Sequence, residues 1–119
     1  MADKLLIISA NIDPNDSEVV GIPFFQATVA AAMEYDVELI FTGRSSRMAD
    51  IEVAKNIAIS DGTTVLDLFE NAKLAGVQMK LCSHSATVVK NQVDAISEIV
   101  GSAYIIQQTM DDEVVVLSY

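Results

Sequence analysis

The chain has 119 residues, 51% of them hydrophobic, and a net charge of −10 from 17 acidic residues against 7 Lys and Arg. That length fills one domain over residues 1–119 and leaves no room for a second. The acidity excludes the electrostatic footprint of a nucleic-acid binder or of a protein drawn to anionic membranes.

The mean hydropathy of +0.37 is high for so small a domain. Some apolar surface is therefore expected to meet another subunit. Met-Ala-Asp-Lys leads directly into apolar residues, without a basic region or a small-residue cleavage site. The longest apolar stretch, Val19 to Met33, contains Gly21, Pro23 and Gln26 and is too short to span a bilayer. With a single unpaired cysteine, these features fit a reducing cytoplasm.

In chain order, Leu5 to Ser9 is a continuous apolar run, the pattern of a strand buried on both faces. Asn11 to Asp16 is a polar loop with turn chemistry. A helix is expected from Pro23, which suits a first helical position, to about Tyr35. Its Phe24, Ala27, Ala31 and Tyr35 share one face and its Phe25, Val29, Ala32 and Met33 another. A helix apolar on both sides is expected to bury one against the sheet and one against a neighbouring subunit. Val37 to Thr42 is a second buried strand, closed by Gly43.

Residues 44–61 carry the weakest pattern, with a short helix expected over Met48–Ile59 and a turn at Ser60-Asp-Gly62. Thr64-Val-Leu-Asp67 has capping-box spacing and opens a helix to about Ala75, stopped by Gly76. Gly76 to Leu81 reads as a strand followed directly by Cys82, and a short helix is expected from Ser85 to Lys90. Ile96–Val100 is a fourth strand, Gly101 opens a helix through Met110, and Val114–Leu117 is the last strand. This alternation predicts an α/β fold, a three-layer α/β/α domain whose five-stranded sheet is mainly parallel, with right-handed crossovers.

Several sites common in such folds are missing. The chain has no G-x-x-x-x-G-K-[ST] and no G-x-G-x-x-G for nucleotides, and no C-x-x-C for a dithiol or zinc site. One His and one Cys do not make a metal centre, so neither metal nor cofactor is expected. A phospho-accepting receiver would end its third strand in Asp, where this chain has Cys82. A cysteine protease would need a group to orient the lone His and an oxyanion motif, and neither is recognisable.

What remains lies at the predicted carboxyl edge of the sheet. Cys82 is expected at a strand end facing a helix N-terminus, where backbone N–H groups and the helix dipole favour a thiolate. The alternative is a small buried residue that only packs, against which stand the polar neighbours Ser83, His84 and Ser85. His84 can serve Cys82 as base or cation, or simply point into water. Asn11 and Asp13 follow the first strand. Arg44 and Arg47 follow the second, flanking Ser45 and Ser46; they can hold an anionic sulfur substrate or be solvated loop charges.

The stretch Gly76-Val-Gln-Met-Lys-Leu-Cys-Ser83, preceded by Asp61-Gly and the Leu66 spacing, resembles the DsrE/DsrF/TusD family of small sulfur-transfer proteins. The tail is similar as well, with Ile99-Val-Gly-Ser-Ala103 and then Asp112-Glu-Val-Val-Val-Leu117. Only Cys82 matches that family's active-site position. The resemblance implies a DsrE-like α/β/α fold, a trimer or hexamer, and a role in cytoplasmic sulfur trafficking, in transfer-RNA thiolation or sulfur oxidation. The cysteine would take up sulfane sulfur as a persulfide and pass it to a TusA-like carrier protein. Two alternatives stay open: a non-catalytic oligomeric binding subunit and a thiol redox sensor.

Overall fold

The structure, a computed structural model, describes residues 3–119; Met1-Ala2, part of the stretch read above for a leader, lies outside them. Five strands form one sheet in the order β4-β3-β2-β1-β5, and every pairing is parallel. They are β1 (Lys4–Ser9), β2 (Asp36–Phe41), β3 (Gln78–Cys82), β4 (Ile96–Val100) and β5 (Val114–Ser118). The helices are α1 (Ile22–Ala32), α2 (Ile51–Ala54), α3 (Val65–Ala75) and α4 (Ser102–Thr109). The α/β class and the five strands expected from the sequence are both present.

The strand order fixes which helix lies where. The steps β1→β2→β3→β4 all move one way across the sheet, so right-handed crossovers put α1 and α3 on one face. The step back from β4 to β5 sends α4 to the other. Burial follows the same division. Ile7, Leu39, Phe41, Met79 and Leu81 join Phe24, Ala27, Phe69 and Ala72 in the main core. Phe24, Phe41 and Phe69 meet there with ring centroids 4.9–5.6 Å apart. The second face has a smaller hydrophobic cluster, of Leu6, Ile40 and Val100.

α1 buries Pro23, Phe24, Ala27 and Ala30 and leaves Phe25, Val29 and Met33 exposed, as its two apolar faces anticipate. It stops at Ala32, short of Tyr35. Tyr35 N–H donates to Ala30 O and Glu34 N–H to Ala31 O, with Glu34 at φ +71°. Those are the bonds of a helix stop that usually uses glycine. α3 is as expected: Thr64 and Asp67 form a reciprocal capping box, and Gly76, at φ +102°, ends the helix.

The expected helix over Met48–Ile59 is instead a 3-10 turn (Gly43–Ala49) and the four residues of α2. Asp50 separates them with an extended backbone, accepting from Glu52 N–H and, 40 residues on, from Lys90 N–H. The expected helix from Ser85 to Lys90 is a single 3-10 turn, Ala86–Val88, with no side-chain cap. Adjacent β-branched Val88 and Val89 disfavour its extension.

Candidate functional site at the carboxyl edge

The carboxyl ends of β1, β2 and β3 are tied together by hydrogen bonds. Gly43 N–H donates to Ser85 Oγ at 3.1 Å, joining the segment after β2 to the segment after β3. Ile12 N–H donates to Ser45 Oγ at 2.9 Å, joining the segment after β1 to the same turn. Gly43 has φ +54°, and a Cβ there would lie 2.7 Å from Ala10 O, so this crossing needs glycine. The segments that carry Asn11, Arg44 and Ser83–Ser85 therefore lie together along one edge of the sheet.

Their side chains do not converge on the sulfur. Arg44 is exposed and pairs with Asp13 at 3.8 Å, a surface contact of little energy. Asn11, Arg47, Ser83 and His84 are exposed. Among the described residues no hydrogen bond links Cys82 Sγ to His84, Arg44 or Asn11.

Cys82 itself is only 3% exposed, and the expectation of a reachable thiol is corrected. It is the last residue of β3, in register with the buried Val100 of β4, and Ser83 N–H donates to Val100 O at 2.8 Å. Side chains alternate along a strand. Met79 and Leu81 enter the main core, so Lys80 and Cys82 stand on the second face. The polar residues Ser83 and His84 turn to water without carrying the sulfur with them. The single 3-10 turn that follows provides no α-helix N-terminus, so the expected dipole does not act on the thiol.

The whole chain superposes on the crystal structure of the YchN protein from E. coli, covering 100% of both chains with a TM-score of 0.76 at 17% sequence identity. This is the DsrE-like fold. No protein-family model and no curated protein matches the sequence.

On the second face the DsrE-like sheet holds a charged cluster that sequence reasoning missed. Glu38 is 1% exposed and accepts from Lys4 Nζ at 2.7 Å, from Lys80 Nζ at 3.1 Å and from Tyr104 OH at 2.7 and 2.9 Å. Lys80 also pairs with Glu98 at 3.1 Å and donates to Tyr104 OH at 2.8 Å. Burial pushes the Glu38 carboxyl up, but hydrogen bonds from Lys4, Tyr104 and Lys80 outweigh it and hold the pKa below the ordinary value. For Lys80, burial favours loss of the proton; bonds to Tyr104, Glu98 and Glu38 outweigh it and raise the pKa. Two cations balance two carboxylates, as burial of charge demands. The signal was one Glu and one Lys inside the apolar runs of two adjacent strands.

At the carboxyl end of β1, Ser9 Oγ is fully buried with no hydrogen-bond partner among the described residues. The groups of His, Cys, Asp and Glu among those residues include none able to hold a metal ion. No helix among them is long and apolar enough to cross a membrane.

Proposed function

We propose that this chain works in a sulfur relay, with Cys82 as the atom that carries the sulfur. The supporting observation is one free thiol at a strand's carboxyl end in a DsrE-like sheet, where the resembled family keeps its active cysteine. The Cys82 thiolate attacks the outer sulfur of a donor persulfide R–S–S⁻. The donor S–S bond breaks, R–S⁻ leaves, and Cys82–S–S⁻ forms. An acceptor thiolate, on a TusA-like carrier protein, then attacks the outer sulfur and Cys82 leaves as thiolate. The steps are two thiol exchanges without net oxidation, so no cofactor is consumed. The thiol proton goes to water or to His84, exposed two residues on.

The test is intact mass after incubation with polysulfide or a persulfidated carrier. A gain of one sulfur, absent in Cys82→Ser, is expected. No gain with any donor overturns the proposal.

The 3% exposure of Cys82 favours a second reading, a non-catalytic binding subunit in which the thiol only packs. A thiol that resists alkylation in the folded protein and takes up no sulfur supports that reading over the first.

The assembly belongs to the same proposal. An open apolar groove of about 340 Å3 runs between α1 and the edge strand β5, lined by Leu5, Val29, Ala30, Met33, Tyr35 and Val115. An exposed apolar groove beside an unpaired strand edge suits another copy of the chain. Val29→Glu is expected to shift the particle toward monomer in light scattering; a monodisperse wild-type monomer at micromolar concentration overturns the oligomer.

A further inference from the structure

We propose that α4 is a strap over the second face of the sheet, latched by Tyr104 to Glu38, and that its release is what opens Cys82. This rests on the relay reading for its purpose but on separate observations for its mechanics.

α4 has eight residues and not one of them is fully buried. Helices this short are marginal in water unless tertiary contacts hold them. Its termini add little: Gly101 at the N-cap makes no side-chain bond, the first turn has no acid and the last no base. Ile106 and Met110 point outward, 61% and 76% exposed. Tyr104 and Ile105 do pack on the cluster of Leu6, Ile40 and Val100, but each remains partly exposed.

Polar bonds do the fastening. Tyr104 OH donates to Glu38, accepts from Lys80, and lies in a ring whose centroid is 4.5 Å from Lys80 Nζ. One turn further on, Gln108 Oε1 accepts from Lys4 Nζ at 2.7 Å. Segments with few buried apolar contacts open well below the global unfolding free energy. α4 fits that description; β2 and β3 beneath it, buried at all but their first residues, do not.

The hinge is beside the sulfur. α4 springs from Gly101, directly after Val100, and Val100 is the register partner of Cys82. A Cβ at Gly101 would lie 3.9 Å from Ser83 Oγ, so the start of α4 sits against the residue after the cysteine. Lys80, which bonds to the latch tyrosine, is two residues from Cys82 on the same face of β3. α4 is tied to β4 at Gly101 and to β5 beyond Met110, so it lifts between these two ends, uncovering this face while the main core stays closed.

The test pairs hydrogen exchange with thiol labelling. In the wild type, the amides of 105–109 are expected to exchange at least tenfold faster than those of Leu39 and Met79; equal protection overturns the strap. Tyr104→Phe keeps the ring and removes the bonds to Glu38 and Lys80. It is expected to speed alkylation of Cys82 about tenfold or more, with the exchange of Leu39 and Met79 unchanged. An unchanged alkylation rate in that variant also overturns the strap. Sulfur uptake measured on the same samples separates the two proposals. Faster alkylation without any sulfur gain sustains the strap and removes the relay; sulfur gain with an unaltered alkylation rate does the reverse.

Discussion

Replacing Glu38 by glutamine takes one negative charge out of a 1%-exposed position and leaves the shape almost unchanged. The wild-type carboxylate meets three donors, Lys4, Lys80 and a Tyr104 hydroxyl shared between its two oxygens, all within 3.1 Å. Glutamine keeps one acceptor oxygen and turns two donors of its own toward this set. Lys80 retains only Glu98 as a carboxylate partner, and Lys4 loses its carboxylate. Removing one partner of a buried ion pair costs about 3–5 kcal/mol, a large share of the roughly 5–15 kcal/mol that holds a domain together.

The pH dependence identifies the cause. Glu38 has a folded pKa below its ordinary 4.5. Its contribution is therefore fully present above 4.5 and is lost as pH falls through the folded value. The glutamine variant has no such proton to bind, so the gap between the two proteins should narrow from about pH 4.5 downward. Urea denaturation of both proteins at pH 7, 5, 4 and 3 measures it, every other titrating group being common to the pair. A difference under about 1 kcal/mol at pH 7, against the cost expected for a buried pair, refutes this account. So does a gap that stays constant down to pH 3.

Glu34→Gly relieves a non-glycine residue at φ +71° in the stop of α1 and should stabilise the protein by about 0.5–1 kcal/mol in urea; a loss of stability contradicts that origin. Ser9→Ala removes a buried hydroxyl without a partner and should be neutral or stabilising by up to about 1 kcal/mol, whereas a clear destabilisation means the hydroxyl is satisfied. Asp50→Ala removes the acceptor for Glu52 and Lys90 N–H and should cost about 2–3 kcal/mol. The bond from Lys90 N–H is the largest influence; burial opposes it, the bonds from Glu52 and Asn91 N–H add to it, and the Asp50 pKa lies below 3.8. That contribution should be present above pH 3.8 and fade below it, in a comparison of the two unfolding curves.

The architecture was legible wherever local pattern and tertiary structure agree. Continuous apolar runs at Leu5–Ser9, Val37–Thr42 and Val114–Leu117 are strands, and the Thr64–Asp67 capping box with Gly76 marks both ends of α3. Residues 44–61 were not legible because distant partners shape them: Asp50 waits for Lys90, and Ile51 N–H donates to Asn91 O at 2.8 Å. The edge on which Cys82 lies could be read from its place after a strand. Its burial could not, because that depends on the face it occupies and on its pairing with Val100. Glu38 and Lys80 were visible as charges inside buried strands, yet only adjacency across β2 and β3 turns them into a pair.

The position of α4 after every other element but β5 has a consequence for synthesis on the ribosome. Once Val100 has emerged, four strands and the helices of the main core can already dock. Leu6 and Ile40 then form a bare greasy patch around a Glu38 that still lacks its tyrosine, open to chaperones or to other nascent chains. Arrival of Tyr104 and the strand behind it closes that window, so slow translation past Gly101 should lengthen the period in which this small protein is prone to aggregate.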